Sequence, residues 1–310
     1  MSGPRFCAAI ADSILRPSTS CDLSTRPPHR RLDLATRLLL VFVWALPSAT
    51  TTAQDHPRRI VSLAPSVTEV LFEAGLGSRV VGVTSYCTFP RQVLGLPKVG
   101  GYLTPSYEAL IALHPDLVVT LPEHADLEPR LRALGLPVLR LDHRSLDGIV
   151  RSIEQAGKRC GAAPAANRAA NALRQTLRKL RRDGTGPRPR VLISFGRADD
   201  IRQLTAAAPG TIYDDLVEHA GGTNVLTSRV IAYPTLSAES VLRLDPDVII
   251  EFSSGRTDAA VLRRQWNRLD SVRAVKTGRV YVFADEFLSV PGPRLVRFAE
   301  TVARAIQGDR

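Results

Sequence analysis

Residues 107–119, YEALIALHPDLVV, and residues 238–250, AESVLRLDPDVII, are nearly the same text written twice. Each carries a glutamate, an apolar helical pattern, a Pro-Asp pair and then an aliphatic run. Glu108 and Glu239 lie 131 positions apart, as do Pro115 and Pro246. Arg59 and Arg190, which open RIVSLA and RVLISF, keep the same spacing of 131. One offset shared by three landmarks implies two lobes of similar construction, and 310 residues are enough for each to bury a core.

The chain between these landmarks alternates short β-rich runs with helical patterns, the order that builds a parallel sheet covered by helices. Residues 59–64 read as a strand. SVTE, Ser66 to Glu69, has capping-box spacing and predicts a helix that ends at Gly75. Val80–Thr84 is the next strand, PSYEALIAL a helix capped by Ser106, DLVVT a strand, LEPRLRAL a helix stopped by Gly135, and VLRLD a strand. Leu146 to Arg182 holds no strand signal. Within it Ala166, Ala170, Leu173, Leu177 and Leu180 form one apolar stripe, so a helix from Ala165 to Arg182 is expected, roughly 27 Å long at about 1.5 Å per residue. The second lobe follows with PRVLISFG, GTIYDDLVEHAGG capped by Thr211 and Asp214, the repeated helix and strand, GRVYVF, and a closing amphipathic helix marked by Leu295, Phe298, Val302 and Ile306. The expected fold is α/β: two Rossmann-like lobes joined by one long α-helix, with a ligand cleft between them. The divisions are an extension and signal peptide over 1–53, a first lobe over 54–145, a helical spine over 146–186 and a second lobe over 187–310.

The extension reads as an address. After Arg37, Leu38 to Leu46 is an apolar segment of signal-peptide length, and Thr51 and Ala53 suit cleavage before Gln54. Residues 1–36 are long for the basic region of a signal, which leaves the true start open. No cysteine follows the apolar segment in the position where a lipid would be attached, since Cys21 precedes it, so a soluble periplasmic protein is expected rather than a lipid-anchored one. Cys87 and Cys160 remain. An oxidising compartment permits them to pair, but nothing in the sequence sets their distance, and two separate thiols are the expectation. The histidines show no paired spacing for a metal, and no cofactor is expected. The net charge of +11 comes mostly from single, scattered arginines without a basic stripe or stacking aromatics, which argues against nucleic acid. There is no Gly-x-Ser-x-Gly elbow, phosphate loop or dinucleotide fingerprint. Asp142-His143 invites a triad, but the sequence names no serine to complete it, and an enzyme is not expected.

The segments RRIVSLAPSVTEVLFEAGLGSRVVGVTSYCTFP, VGGYLTPSYEALIALHPDLVV and YPTLSAESVLRLDPDVII resemble the helical-spine class of periplasmic substrate-binding proteins, which serve ATP-driven importers of vitamin B12, haem and ferric siderophores. The resemblance covers residues 57–308 and is greatest to the corrinoid carriers. It implies capture of a corrinoid (cobalamin) between the lobes and its delivery to an ABC importer's membrane permease dimer, by a protein expected to be monomeric. Haem or a ferric siderophore is the alternative cargo; a ligand-sensing module for a membrane partner is a further one.

A flat macrocycle with a polar rim calls for aromatic edges from both lobes and a few polar clamps. Tyr86, Tyr102, Tyr233 and Phe287 stand where strands or helices give way to loops, and the resemblance implies that all four touch the macrocycle. Tyr102 and Tyr233 also keep the 131 spacing, so they are expected to face each other. Arg294 comes from the second lobe, and a siderophore would be gripped by Arg197 and Arg294. Leu121 and Leu204 stand where the corrinoid carriers have aromatics, so this pocket is less aromatic. Each residue also has a plain reading: Tyr86 and Tyr102 as core-edge aromatics, Arg294 as a surface ion pair at a helix start, His124 as a solvated loop histidine. Glu108 and Glu239 suit a helix's first turn on dipole grounds alone. Their duplication, and the family's use of two such acids against permease arginines, point instead to docking.

Overall fold

Aliphatic residues buried on both faces of a strand demand helices above and below it, and the first lobe supplies them. The computed structural model describes residues 56–180, 187–195, 201–253 and 258–308. Strands β1 (Ile60–Ser62), β2 (Val80–Val83), β3 (Leu117–Thr120) and β4 (Val138–Arg140) form an all-parallel sheet in the order β2-β1-β3-β4. Helices α1 (Pro65–Glu73), α2 (Tyr107–Ala112) and α3 (Glu128–Ala133) lie in the connections.

The entry to α1 differs from the capping box read in SVTE. Pro65 starts the helix after Ala64, and no side chain caps it. Ser66 and Glu69 are already inside the helix and are drawn to tertiary partners instead: the Ser66 hydroxyl to His143 Nδ1 at 2.9 Å and the Glu69 carboxylate to Arg294 at 2.6 Å.

The middle of the chain is a helical hairpin. Helix α4 (Leu146–Arg159) is capped by the Ser145 hydroxyl, which accepts from the Gly148 amide at 3.0 Å. Gly161, at φ +68°, turns the chain against the His56 ring, where a Cβ would collide. Helix α5 (Ala163–Leu180) then carries the expected stripe, and Ala166, Ala170, Leu173, Leu177 and Leu180 are all buried. It begins two residues earlier than the sequence pattern indicated; Arg181 and Arg182 lie outside the described residues.

In the second lobe, β5 (Arg190–Phe195), β9 (Val248–Phe252) and β10 (Val280–Phe283) are parallel. Strands β6 (Gln203–Ala206) and β8 (Thr235–Ser237) extend the sheet antiparallel, and β7 (Thr223–Asn224) adds a short pairing to β5, giving the order β10-β9-β5-β6-β8. Around it lie α6 (Ile212–His219), α7 (Ala238–Leu244), α8 (Ala259–Trp266), α9 (Arg273–Lys276) and α10 (Pro293–Gln307).

The repeat holds at the level of single hydrogen bonds. Ile60 pairs with Leu117 between β1 and β3, and Val191 with Val248 between β5 and β9. The last carbonyls of a helix lack intrahelical donors, and the arginine that opens each first strand provides them: Arg59 Nη2 donates to Leu113 O at 2.7 Å, and Arg190 Nη2 to Leu244 O at 2.7 Å. Asp116 accepts from the Arg59 amide at 2.9 Å, and Asp247 from the Arg190 amide at 2.8 Å. His114 and Asp245 both take left-handed backbone, φ 44° and 39°, to leave the helix.

One apolar core runs from Ile60 and Val119 through Ile149 of α4 and Leu173 of α5 to Val191 of β5 and Leu295, Val296 and Val302 of α10. The described residues accordingly pack as one compact unit. Cys87 and Cys160 are buried free thiols. Among the described residues no helix is long and apolar enough to cross a membrane, and no cluster of His, Cys, Asp and Glu could hold a metal ion.

Candidate ligand-binding cleft

In parallel α/β sheets the chain leaves each strand's carboxyl end through a loop, and ligands collect there. Here those loops surround a cavity of about 900 Å³. Ala64 and Ser66 follow β1, Tyr86 follows β2, Leu121 follows β3, and Phe287 lies in the turn after β10. Tyr102 and Leu103 enter from the tight turn 101–104, closed by the Gly101 amide donating to Thr104 O at 3.1 Å. Both lobes contribute to the lining.

Tyr86 projects from its turn and is 65% exposed. Tyr102 is held more firmly. His124 packs edge-on against its ring, with centroids 4.8 Å apart. The Leu121 amide donates to His124 Nδ1 at 2.9 Å, so the proton sits on Nε2, which donates to Tyr102 O at 2.9 Å. His124 is therefore a buried brace and not the solvated loop histidine its acidic neighbours implied. Burial lowers its pKa, keeping the ring neutral. Burial, together with the Glu123 carboxylate beside the phenol, pushes the Tyr102 hydroxyl up to about 12.

On the opposite side, the turn 286–289 presents Phe287, and the Tyr213 hydroxyl fixes that turn by donating to Leu288 O at 2.8 Å. Phe287 packs on Phe298 of α10 at 5.6 Å between ring centroids. Arg294 lines the cavity but is already committed. Its Nε and Nη2 donate to Glu69 Oε1 at 3.0 and 2.6 Å, and its guanidinium lies 4.1 Å from the Phe89 ring centre and 5.0 Å from that of Phe287. One turn on, Arg297 pairs with Glu73 at 2.6 Å. The two bridges join α10 to α1.

Of the six ligand contacts expected from sequence, the cavity wall brings together Tyr86, Tyr102, Phe287 and Arg294. Tyr233 is not in the wall. It is 47% exposed and packs on Phe195 and Tyr213, with ring centres 5.9 and 6.5 Å away. Its hydroxyl and that of Tyr102 both feel the Glu123 carboxylate. Arg197 lies outside the described residues. Leu121 reaches the wall, whereas Leu204 is buried in the separate core beneath β6, away from the cavity. Phe89 and Glu69 were not anticipated: Phe89 reads as an ordinary loop aromatic, and Glu69 as a cap.

Asp142 and His143 do not cooperate. Asp142 pairs with Arg144 at 2.5 Å, while His143, buried, contacts Ser66 and leaves Nε2 without a partner.

Glu108 and Glu239 are exposed in the first turns of α2 and α7. Ser106 and Ser237 cap these helices, accepting from the Ala109 and Ser240 amides at 3.2 and 3.3 Å. Both acids are held below the usual carboxylate range, Glu108 by its own backbone amide and the Ser106 hydroxyl, Glu239 by the Ser237 hydroxyl and its own amide.

Two α/β lobes that share a core and open one cavity at their strand ends define a two-lobed solute carrier. The family model described as periplasmic binding protein matches residues 60–286, and the chain belongs to that family. Among similar proteins, the vitamin B12-binding protein of Vibrio cholerae serotype O1 is 30% identical over 84% of this chain and 93% of its own. That of Pectobacterium carotovorum is 28% identical over 81% and 89%. The crystal structure of the periplasmic vitamin B12 binding protein of Vibrio cholerae superimposes with a TM-score of 0.70 at 27% identity, covering 81% of this chain and 97% of that one. A periplasmic haem binding protein from Pseudomonas aeruginosa gives 0.68 at 27%, covering 82% and 94%.

Proposed function

We propose that this protein is the periplasmic substrate-binding component of an ABC importer, that it captures a corrinoid of the vitamin B12 type in the cleft, and that it delivers it as a monomer to a permease dimer. The observation that carries this reading is the cavity of about 900 Å³ walled by Tyr86 and Tyr102 from the first lobe and by Phe287 from the second. Aromatic edges on two sides suit a broad ring held at its rim. The relatives named for vitamin B12 support the cargo. Haem is the rival; burial and the Glu123 carboxylate push the Tyr102 hydroxyl up to about 12, which makes Tyr102 a poorer tyrosinate donor to iron than an unperturbed tyrosine.

Delivery rests on Glu108 and Glu239, one on each lobe. Exposed positions of a repeat are free to drift, and Ala112 and Arg243 have done so. Yet the two acids remain, and so do exposed apolar residues one turn further on, Ile111 at 44% and Leu242 at 40%. A matched acid and apolar knob on each lobe suits a two-fold symmetric partner carrying cations, with charge guiding the encounter. Uptake of cyanocobalamin by the reconstituted importer tests this. Glu108→Lys combined with Glu239→Lys should abolish uptake while cyanocobalamin affinity is retained. Uptake at the wild-type rate, or a loss confined to ligand affinity, contradicts the assignment.

A further inference from the structure

The cavity wall is poor in charge. Among the described residues that line it, only Arg294 and Glu286 carry acidic or basic side chains. The cation is already engaged: two of its nitrogens donate to Glu69 Oε1, and the Phe89 and Phe287 rings lie against it. Glu69 is buried, and its second oxygen has no partner. The backbone closes over that oxygen at Gly292, where a Cβ would come within 2.7 Å of Oε2. Arg297, whose charge also reaches Glu69, is taken by Glu73.

We propose that Glu69 is a specificity-determining residue: an internal counter-ion that cancels Arg294, so that the cavity accepts a macrocycle with uncharged, amide-type edges and disfavours one bearing carboxylates. This rests on the reading of the cleft as the cargo site. An anionic guest at this wall has two routes. Sharing the guanidinium places its carboxylate beside Glu69 in a region of low dielectric, where like charges repel strongly. Stripping Arg294 from Glu69 leaves a buried carboxylate without its counter-ion, which one new contact does not offset. An uncharged amide meets neither difficulty and finds the ring edges of Phe287 and Tyr102 as they stand. Haem, with two carboxylates, and ferric chelates of net negative charge fall on the disfavoured side.

The test is the ratio of haemin to cyanocobalamin affinity, measured by calorimetric titration on the full chain. Glu69→Gln, which frees the arginine's charge while keeping the side-chain shape, should raise that ratio by about tenfold or more. Glu69→Asp draws the carboxylate back by one methylene and should give a smaller rise in the same direction, so a folding defect in the first variant leaves the second to decide. Glu69→Gln with Arg294→Gln removes both charges and should return the ratio to the wild-type value. An unchanged or lower ratio in the folded Glu69 variants overturns the inference, as does a wild-type protein that binds both guests and prefers haemin. A wild type that ignores cyanocobalamin, alongside a gain for haemin in Glu69→Gln, would remove the corrinoid reading and leave the counter-ion role standing.

Discussion

His143 illustrates how a single side chain ties stability to pH. It is buried with Ser66 as its one hydrogen-bond partner, and burial drops its pKa from 6.5 to about 3. The unfolded chain takes up a proton near pH 6.5, and the folded protein resists it down to about 3. The stability from keeping this ring neutral is therefore complete above pH 6.5 and is lost progressively as pH falls through that window. Urea unfolding across that range should show the decline, and His143→Asn should flatten it; an unchanged slope in the variant would assign it elsewhere. At this scale the sequence was only partly legible. Tyr86, Tyr102 and Phe287 declare themselves by standing at loop mouths. His124 does not: its surroundings in LPEHAD are acidic, and the residue it packs against and hydrogen-bonds, Tyr102, is 22 residues away. Arg294 reads from sequence either as a ligand clamp or as an ion pair at a helix start, and its partner, Glu69, lies 225 residues away.

At the scale of elements, local chemistry was readable wherever the partners are neighbours. Ser106 and Thr211, read as caps from the sequence, accept from amides in their own first turns, and Ser145 and Ser237 do the same. Ser106→Ala and Ser237→Ala should each lower unfolding stability by about 1 kcal/mol, and because the two caps sit on separate lobes their effects should add. Chemical denaturation of the two single variants and the double variant measures this; a double-variant loss much below the sum would mean the caps are coupled. The stripe on α5 was equally plain, since its period is the helix's own. The cap of α1 misled because SVTE fits a local pattern while the helix begins at Pro65, two residues sooner than a Ser66 cap implies. Strands β6 and β8 gave no signal: QLTA and TLS are short, and their pairing with each other and β5 is set by the sheet edge they complete.

For the whole molecule, the spacing of 131 accounts for two similar lobes, and the unbroken core through α4, α5 and α10 ties them together. The bridges Arg294–Glu69 and Arg297–Glu73 add polar ties across the same seam. A cavity walled by such a frame is formed before its guest arrives, so binding should involve little rearrangement. What the repeat could not give is selectivity, because the loops that line the cavity are where the two halves diverge. Calorimetric titration of the wild-type protein with cyanocobalamin bears most directly on this account. It predicts saturable binding of one corrinoid per chain, with haemin much weaker under the same conditions; no heat of binding with cyanocobalamin, or saturation by haemin alone, would contradict it.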